Sequence, residues 1–244
     1  MLAVFRLLRA LAHVMGGYWM VRREFPRLDE ARKSLKVQAW SVRMLHIMGI
    51  SLDVQGDVPQ HGPLLLVANH ISWLDILVLH ASRHCRFVSK ADVQHWPLIG
   101  TLAQGCGTLF VERESRRDAM RVVHHMADAL RSGDMLAIFP EGTTSDGIGT
   151  LPFHANLFQA AISAHAPVQA IGLTYLDAQS GGQSHATDYI GDTSLLSSVW
   201  ATVTAKPLCA RVNFGPHLAA QGLDRRTLAA LAREQVTALR QLTV

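Results

Sequence analysis

The chain has 244 residues, 49% of them hydrophobic, with a mean hydropathy of +0.15 and three cysteines. That length suits one α/β domain with a short appendage, while Cys85, Cys106 and Cys209, odd in number and without C-x-x-C spacing, argue against a disulfide framework and for a reducing, cytosolic setting. The formal net charge of +4 is uneven: residues 1–50 hold nine Lys/Arg against three Asp/Glu and the remainder fourteen against sixteen, which aims the N-terminus at an anionic surface.

Residues 2–20, LAVFRLLRALAHVMGGYWM, have the apolar look of a secretion signal. Arg6 and Arg9 interrupt the run, however, and no small-residue cleavage site follows. As a helix ended by Pro26, the segment places Arg6, Arg9 and His13 on one stripe and Val4, Leu7, Leu8, Leu11, Met15 and Tyr18 on the opposite one. A second helix over about 29–48 sets Val37, Trp40, Met44, Ile47 and Met48 on one face and Lys33, Lys36 and Arg43 on another. No uncharged apolar stretch reaches the roughly 18 residues of a membrane span. The expectation is a pair of basic amphipathic helices (1–50) lying in a membrane interface, with Trp19 and Trp40 suited to the headgroup level. Two alternatives stay open: both helices packing on the domain, or a tilted span from near Leu2 with snorkelling arginines.

From residue 51 short apolar runs alternate with helical stretches. Buried strands are predicted at 63–68, 86–89, 108–112, 135–139, 168–176 and 210–214, and helices near 73–82, 92–104, 115–132, 153–165 and 225–242. This order predicts a single α/β domain over 51–244 with a largely parallel sheet flanked by helices. AQSGGQSHATDYIGDTS (178–194) reads as a polar, mobile loop.

Ligands collect at the carboxyl ends of strands in open α/β sheets. Three polar clusters take that position: NHISWLD (69–75), Glu112–Arg113, and PEGTTSDG (140–147). On a continuous helix His70 and Asp75 would point about 140° apart. They meet only if His70 precedes the helix and Asp75 lies in its first turn, as it does when Ser72 is the N-cap and Asp75 stands at N3. The carboxylate then fixes one imidazole tautomer and leaves the other nitrogen free to accept a proton. A plain cap beside a histidine satisfying a buried hydrogen bond is the competing explanation.

NHISWLD resembles the NHxxxxD signature of the glycerolipid acyltransferases, the family of the bacterial 1-acylglycerol-3-phosphate acyltransferases. GTLFVER (107–113) resembles that family's G-x-x-F-x-x-R block, FPEGTTS (139–145) its F-P-E-G-T block, and APVQAIGL (166–173) its fourth block. FVSKADVQHWPLIG (87–100) resembles the segment between the first two, and four ordered blocks over roughly 50–175 are far more specific than H-x-x-x-x-D alone.

The resemblance implies transfer of a fatty acyl group from an acyl-ACP or acyl-CoA thioester to the free hydroxyl of a lysophospholipid, with 1-acylglycerol-3-phosphate giving phosphatidic acid as the first expectation. It implies His70 as general base and Asp75 as its partner. Lys90 and Arg113 would meet a phosphate, Glu141 would bind the glycerol or order Arg113, and Gly142 and Thr143 would let backbone amides approach an anion. No metal and no cofactor beyond the thioester co-substrate are implied, and the place of action is the cytoplasmic face of the inner membrane.

Two departures stand out. Thr144 occupies the place of an arginine common in F-P-E-G-T-R-S, and His154 that of a Lys or Arg. Both weaken the case for a phosphorylated acceptor and raise that for another lysolipid, such as lyso-ornithine lipid. A non-catalytic peripheral lipid-binding protein is the alternative of another class, although the intact His70/Asp75 pair counts against it. Nucleic-acid binding rests on the basic N-terminus alone and lacks a basic–aromatic strand platform. His80 and His84 have zinc spacing without H-E-x-x-H or a third ligand, His95 has no second ligand near it, and His124-His125 read as solvated residues of the charged helix 115–132. TTSDG puts Thr143 where G-x-S-x-G needs its first glycine, and there is no P-loop or dinucleotide fingerprint.

Overall fold

A computed structural model describes residues 2–111 and 116–241. Seven strands form one sheet: β1 (Ile50–Gly56), β2 (Leu64–Ala68), β3 (Arg86–Lys90), β4 (Leu109–Val111), β5 (Met135–Ile138), β6 (Val168–Asp177) and β7 (Leu208–Leu218). Their order is β1-β7-β6-β2-β5-β3-β4, and every pairing is parallel except β6 with β7. The helices are α1 (Leu2–Arg23), α2 (Glu30–Met48), α3 (Leu74–Ser82), α4 (Ile99–Gly105), α5 (Arg116–Arg131), α6 (Gln159–Ala164), α7 (Leu195–Thr204) and α8 (Arg225–Gln241).

The continuous run LLLVA of β2 follows from its central place, because both faces of a parallel sheet are covered. Leu64, Leu66 and Ala68 pack toward α2 and α3 together with Met44, Leu74 and Leu79. Leu65 and Val67 pack toward α5, α6 and α8 with Met126, Leu130, Ala160 and Leu228. Each fully buried leucine contributes roughly 1.5–3 kcal/mol, so the two layers fix the strand register from opposite sides.

The helices expected at 92–104 and 153–165 are each divided, into a 3-10 turn at Ala91–His95 before α4 and another at Ala155–Phe158 before α6, and two further elements were not expected at all. β1 is an edge strand in which Ile50 is buried while Ser51 is exposed, and ISLDVQG lacks the dense apolar run by which the other strands announce themselves. α7 is built from SLLSSVWATVT, rich in Ser, Thr and Val, whose helix propensity is weak; the Ser194 hydroxyl starts it by accepting from the Ser197 amide at 3.2 Å.

The N-terminal helices differ in what they bury. α2 is capped by the Asp29 carboxylate, which accepts from the Arg32 amide at 2.8 Å, and it ends on Gly49 at φ 83°. Its Val37, Met44, Ile47 and Met48 are buried against the domain. Trp40 is half-buried between the two helices: its indole donates to the His13 carbonyl and its ring stacks on His13 at 4.9 Å. α1 is turned the other way. Its inward stripe holds Arg6, which donates to the Val203 carbonyl at 3.1 Å, then Ala10, His13 and Gly17. Gly17 is required there, since a Cβ would lie 2.6 Å from the Trp40 indole nitrogen. The apolar stripe of Leu8, Leu11, Met15 and Trp19 is exposed. Among the described residues no helix is long and apolar enough to cross a membrane.

Candidate active site

At the carboxyl end of β2 the chain leaves the sheet through Asn69 and His70. The Asn69 amide donates to the Leu173 carbonyl at 3.0 Å and its oxygen accepts from the Leu173 N–H at 2.8 Å, extending the β2–β6 ladder by one side chain. His70 therefore departs from a fixed point. The expected cap is displaced by one residue: Trp73, without a side-chain cap bond, takes the N-cap position instead of Ser72, so Asp75 stands at N2 and not N3. The Ser72 hydroxyl accepts from the Leu74 amide at 3.3 Å, and the Asp75 carboxylate reaches back to the Ser72 amide at 3.0 Å. α3 proper begins at Leu74, so His70 lies before the helix and Asp75 in its first turn.

That geometry brings Asp75 Oδ2 to 2.8 Å from His70 Nδ1. The same oxygen accepts from the amides of Ile71 at 2.7 Å and Ser72 at 3.0 Å. Oδ1 accepts from the Tyr175 hydroxyl at 2.7 Å. Asp75 is 0% exposed, and its lone pairs are occupied by donors, as a buried carboxylate requires. The His70 side chain remains 20% exposed, stacked on Phe139 at 4.1 Å, and its Nε2 makes no hydrogen bond to the described residues. One nitrogen is held, and the other is offered to whatever enters.

The loop after β5 grips His70 by its backbone. Glu141 Oε1 accepts from the His70 amide at 2.8 Å, and the Ser145 amide donates to the His70 carbonyl at 2.8 Å. Glu141 Oε2 accepts from the Leu151 amide at 2.9 Å, so both carboxylate oxygens serve backbone donors. Burial raises the Glu141 pKa, opposed by those two amides and by the charges of His70 and Arg240. Arg240 is brought alongside by the last turn of α8, which lies against Gly172: a Cβ there would sit 2.7 Å from the Arg240 nitrogen. Gly142, at φ 72°, is exposed and spends its N–H on the Phe139 carbonyl, while a Cβ would meet His154 at 2.8 Å. Thr143 is exposed, and the amides of Thr143 and Thr144 make no hydrogen bond to the described residues. The Thr144 hydroxyl donates to the Tyr189 carbonyl, and the Tyr189 amide donates to the Ile71 carbonyl at 3.3 Å. The polar segment 178–194 is thus stitched to the site at both strands of the motif.

Lys90 closes β3, exposed and without a hydrogen bond or ion pair to the described residues. Arg113 lies outside the described residues, two positions past the end of β4. His80 and His84 approach each other at 3.2 Å between their Nδ1 atoms; burial, then the neighbouring charge, lowers them to about 3 and about 4. They behave as neutral packing groups, with His80 edge-on to Phe87.

Tyr175, Ser145 and Phe139 are functional neighbours that the sequence reading missed. Tyr175 shares a strand face with Ile171 and Leu173 by period two, and only the β2–β6 pairing shows what its hydroxyl meets. Burial, and then Asp75, raises the Tyr175 pKa well above its usual value, so it stays a donor. Tyr175→Phe is expected to lower the thermal midpoint by the loss of roughly 1.5–3 kcal/mol for a hydrogen bond to a charged acceptor. Turnover is expected to fall about tenfold with acceptor KM unchanged, because the ring holds Asp75 rather than substrate.

The site is thus a partly exposed imidazole held by a buried carboxylate at the carboxyl edge of an α/β sheet, the edge where ligands of such folds collect. The model of the family Acyltransferase matches residues 51–174, and the chain belongs to that family. It is 38% identical over 172 residues to the 1-acyl-sn-glycerol-3-phosphate acyltransferase of Neisseria meningitidis, a match covering 70% of this chain and 67% of that one. It is 35% identical over 234 residues to the lyso-ornithine lipid O-acyltransferase of Pseudomonas aeruginosa, covering 95% of this chain and 89% of that one. The crystal structure of the 1-acyl-sn-glycerophosphate acyltransferase of Thermotoga maritima superposes with a TM-score of 0.67 at 15% identity, across 97% of this chain and 99% of that one, and shares the fold. The chain is accordingly an O-acyltransferase of the lysophospholipid and glycerolipid type.

Proposed function

We propose that the chain esterifies the free hydroxyl of a lysophospholipid at a membrane surface, taking the acyl group from acyl-ACP or acyl-CoA, with His70 as general base. The observation that carries this reading is the 2.8 Å contact of Asp75 with His70 Nδ1, which leaves Nε2 free at the open side of the site. An alcohol is a poor nucleophile at neutral pH. Nε2 takes its proton as the oxygen attacks the thioester carbonyl, and Asp75 stabilises the imidazolium. When the tetrahedral intermediate collapses, the C–S bond breaks and the leaving thiolate recovers that proton. The unengaged amides of Thr143 and Thr144 are the donors offered to the developing oxyanion.

For the acceptor, 1-acylglycerol-3-phosphate stands first, with Lys90, exposed at the end of β3, and Arg113 as the cations for its phosphate and Gly142 opening the turn beside it. A second reading, lyso-ornithine lipid, is favoured by Thr144, whose hydroxyl is spent on Tyr189 where the family carries a cation, and by the match to the Pseudomonas protein along 95% of the chain. The outward apolar stripe of α1, bordered by Arg9, Arg22 and Arg23, supports docking onto an anionic leaflet without crossing it, on the cytoplasmic side where acyl thioesters are made. The domain over 51–244 would carry the chemistry and residues 1–50 the docking.

Turnover of a labelled acyl thioester with a panel of lysolipids tests the proposal. Diacyl product from 1-acylglycerol-3-phosphate, with Lys90→Ala raising acceptor KM, is the expected result. Product from lyso-ornithine lipid alone replaces the first acceptor with the second. No product from any lysolipid with either donor rejects the activity.

A further inference from the structure

The outward stripe of α1 does not stand alone. α1 packs against α7 at its N-terminal half, where Arg6 donates to the Val203 carbonyl. It packs against α4 at its C-terminal half, where Gly105 approaches Val21 closely enough that a Cβ would meet it at 2.5 Å. Both neighbours leave large apolar side chains exposed. On α7, Leu196 is 83% exposed and Trp200, one turn on, 49%. At the corner leading into α4, Trp96 is 51% exposed and Ile99 42%. A folded domain has no internal use for two tryptophans and two branched aliphatics set outward beside an already apolar helix.

These residues also flank the site. The Trp73 indole, inside the NHISWLD motif, donates to the Ser198 hydroxyl of α7 at 3.1 Å. Trp96 follows β3 and Lys90 by a single short helical turn, Ala91–His95. The two apolar groups therefore border α1 at the end of the sheet where His70 opens, one on the α7 side and one on the α4 side.

We propose that α7, through Leu196 and Trp200, and the α4 corner, through Trp96 and Ile99, form one membrane-contacting surface with α1, seating the mouth of the site on the leaflet. This rests on the docking reading given above and deepens it by adding contacts beyond the N-terminal helices. The occupant is an anionic bilayer. The arginines bordering the surface cover aromatic rings, Arg9 over Phe5 at 5.4 Å and Arg23 over Trp19 at 4.5 Å, which pairs cations for lipid headgroups with rings suited to the interface. α7 carries no acidic residue that would repel such a surface. An acceptor already anchored in the leaflet would then reach His70 by lateral diffusion instead of leaving the membrane.

The test is flotation of the full chain with vesicles of mixed phosphatidylglycerol and phosphatidylethanolamine, with thermal midpoints measured for every variant as the folding control. Leu196→Glu and Trp200→Glu are each expected to weaken partitioning about tenfold or more, since each removes a large buried side chain from the interface. Leu8→Glu on α1 should do the same. Brominated lipids should quench Trp200, read as the difference between the protein and Trp200→Phe, a variant that should itself still bind. If Leu8→Glu abolishes binding while the α7 variants bind as the parent does and Trp200 is unquenched, the extended surface is overturned and docking by α1 survives. If the parent protein does not bind the vesicles, both fall. If the α7 variants instead shift the protein from dimer to monomer without altering vesicle binding, that face belongs to a second copy of the chain and the proposal fails.

Discussion

His70→Ala is expected to lower acyl transfer by about 10²- to 10⁴-fold while leaving the thermal midpoint close to that of the parent. The hydrogen-bond pattern says why the two readouts separate. Removing the imidazole takes one donor from Asp75 Oδ2, yet the Ile71 and Ser72 amides remain on that oxygen and Tyr175 on the other. The buried carboxylate stays satisfied, so no uncompensated charge is left behind. The ring is partly exposed and its main packing partner is Phe139, so its loss opens toward solvent. Steady-state kinetics with a labelled thioester, beside a melting curve, measure both. Unchanged turnover would remove His70 from the chemistry.

Asp75→Ala should behave differently. It removes the acceptor of two backbone amides, a tyrosine hydroxyl and the His70 ring at once, all around a 0% exposed position. Buried donors left unpaired cost about 1–3 kcal/mol each, so a fall of roughly 3–5 kcal/mol in stability should accompany the lost activity. Asp75→Asn conserves the volume and isolates the catalytic part. An amide can offer one oxygen to the imidazole and the two backbone donors only by turning its NH₂ toward Tyr175, and it stabilises an imidazolium poorly. Activity should still fall about 10²-fold or more, with a smaller thermal effect than Asp75→Ala. An active, well-folded Asp75→Asn would mean that the part played by the carboxylate is structural alone.

How much of this was written in the chain depends on distance along it. The His70–Asp75 contact is local: five residues and a helix that starts between them suffice to place it, although the helix starts one residue later than the spacing suggested, with Trp73 instead of Ser72 at the N-cap. The strand run PLLLVA was legible because a central parallel strand is buried on both faces. What escaped were contacts closed by the sheet. Tyr175 meets Asp75 across 100 residues, and no periodicity in VQAIGLTYL says which strand lies next to it. For Glu141 the resemblance implies binding the glycerol or ordering Arg113; that its oxygens accept from the amides of His70 and Leu151 is visible only when the β2 and β5 exits are side by side. The amphipathicity of α1 was plain, but not its direction. Arg6 and His13 find backbone carbonyl partners inside, so the polar stripe faces the domain and the apolar one faces out. β1 and α7 were missed because an edge strand and a Ser/Thr-rich helix owe their form to neighbours more than to propensity.

General-base catalysis by His70 requires the acceptor's hydroxyl to come to rest beside it, and a structure with a lysolipid bound reads that position directly. The free hydroxyl oxygen should lie about 3 Å from His70 Nε2, with Nδ1 still on Asp75. A lysolipid bound with its hydroxyl beyond reach of that nitrogen, or an imidazole swung away from Asp75 to let the lipid in, would contradict it.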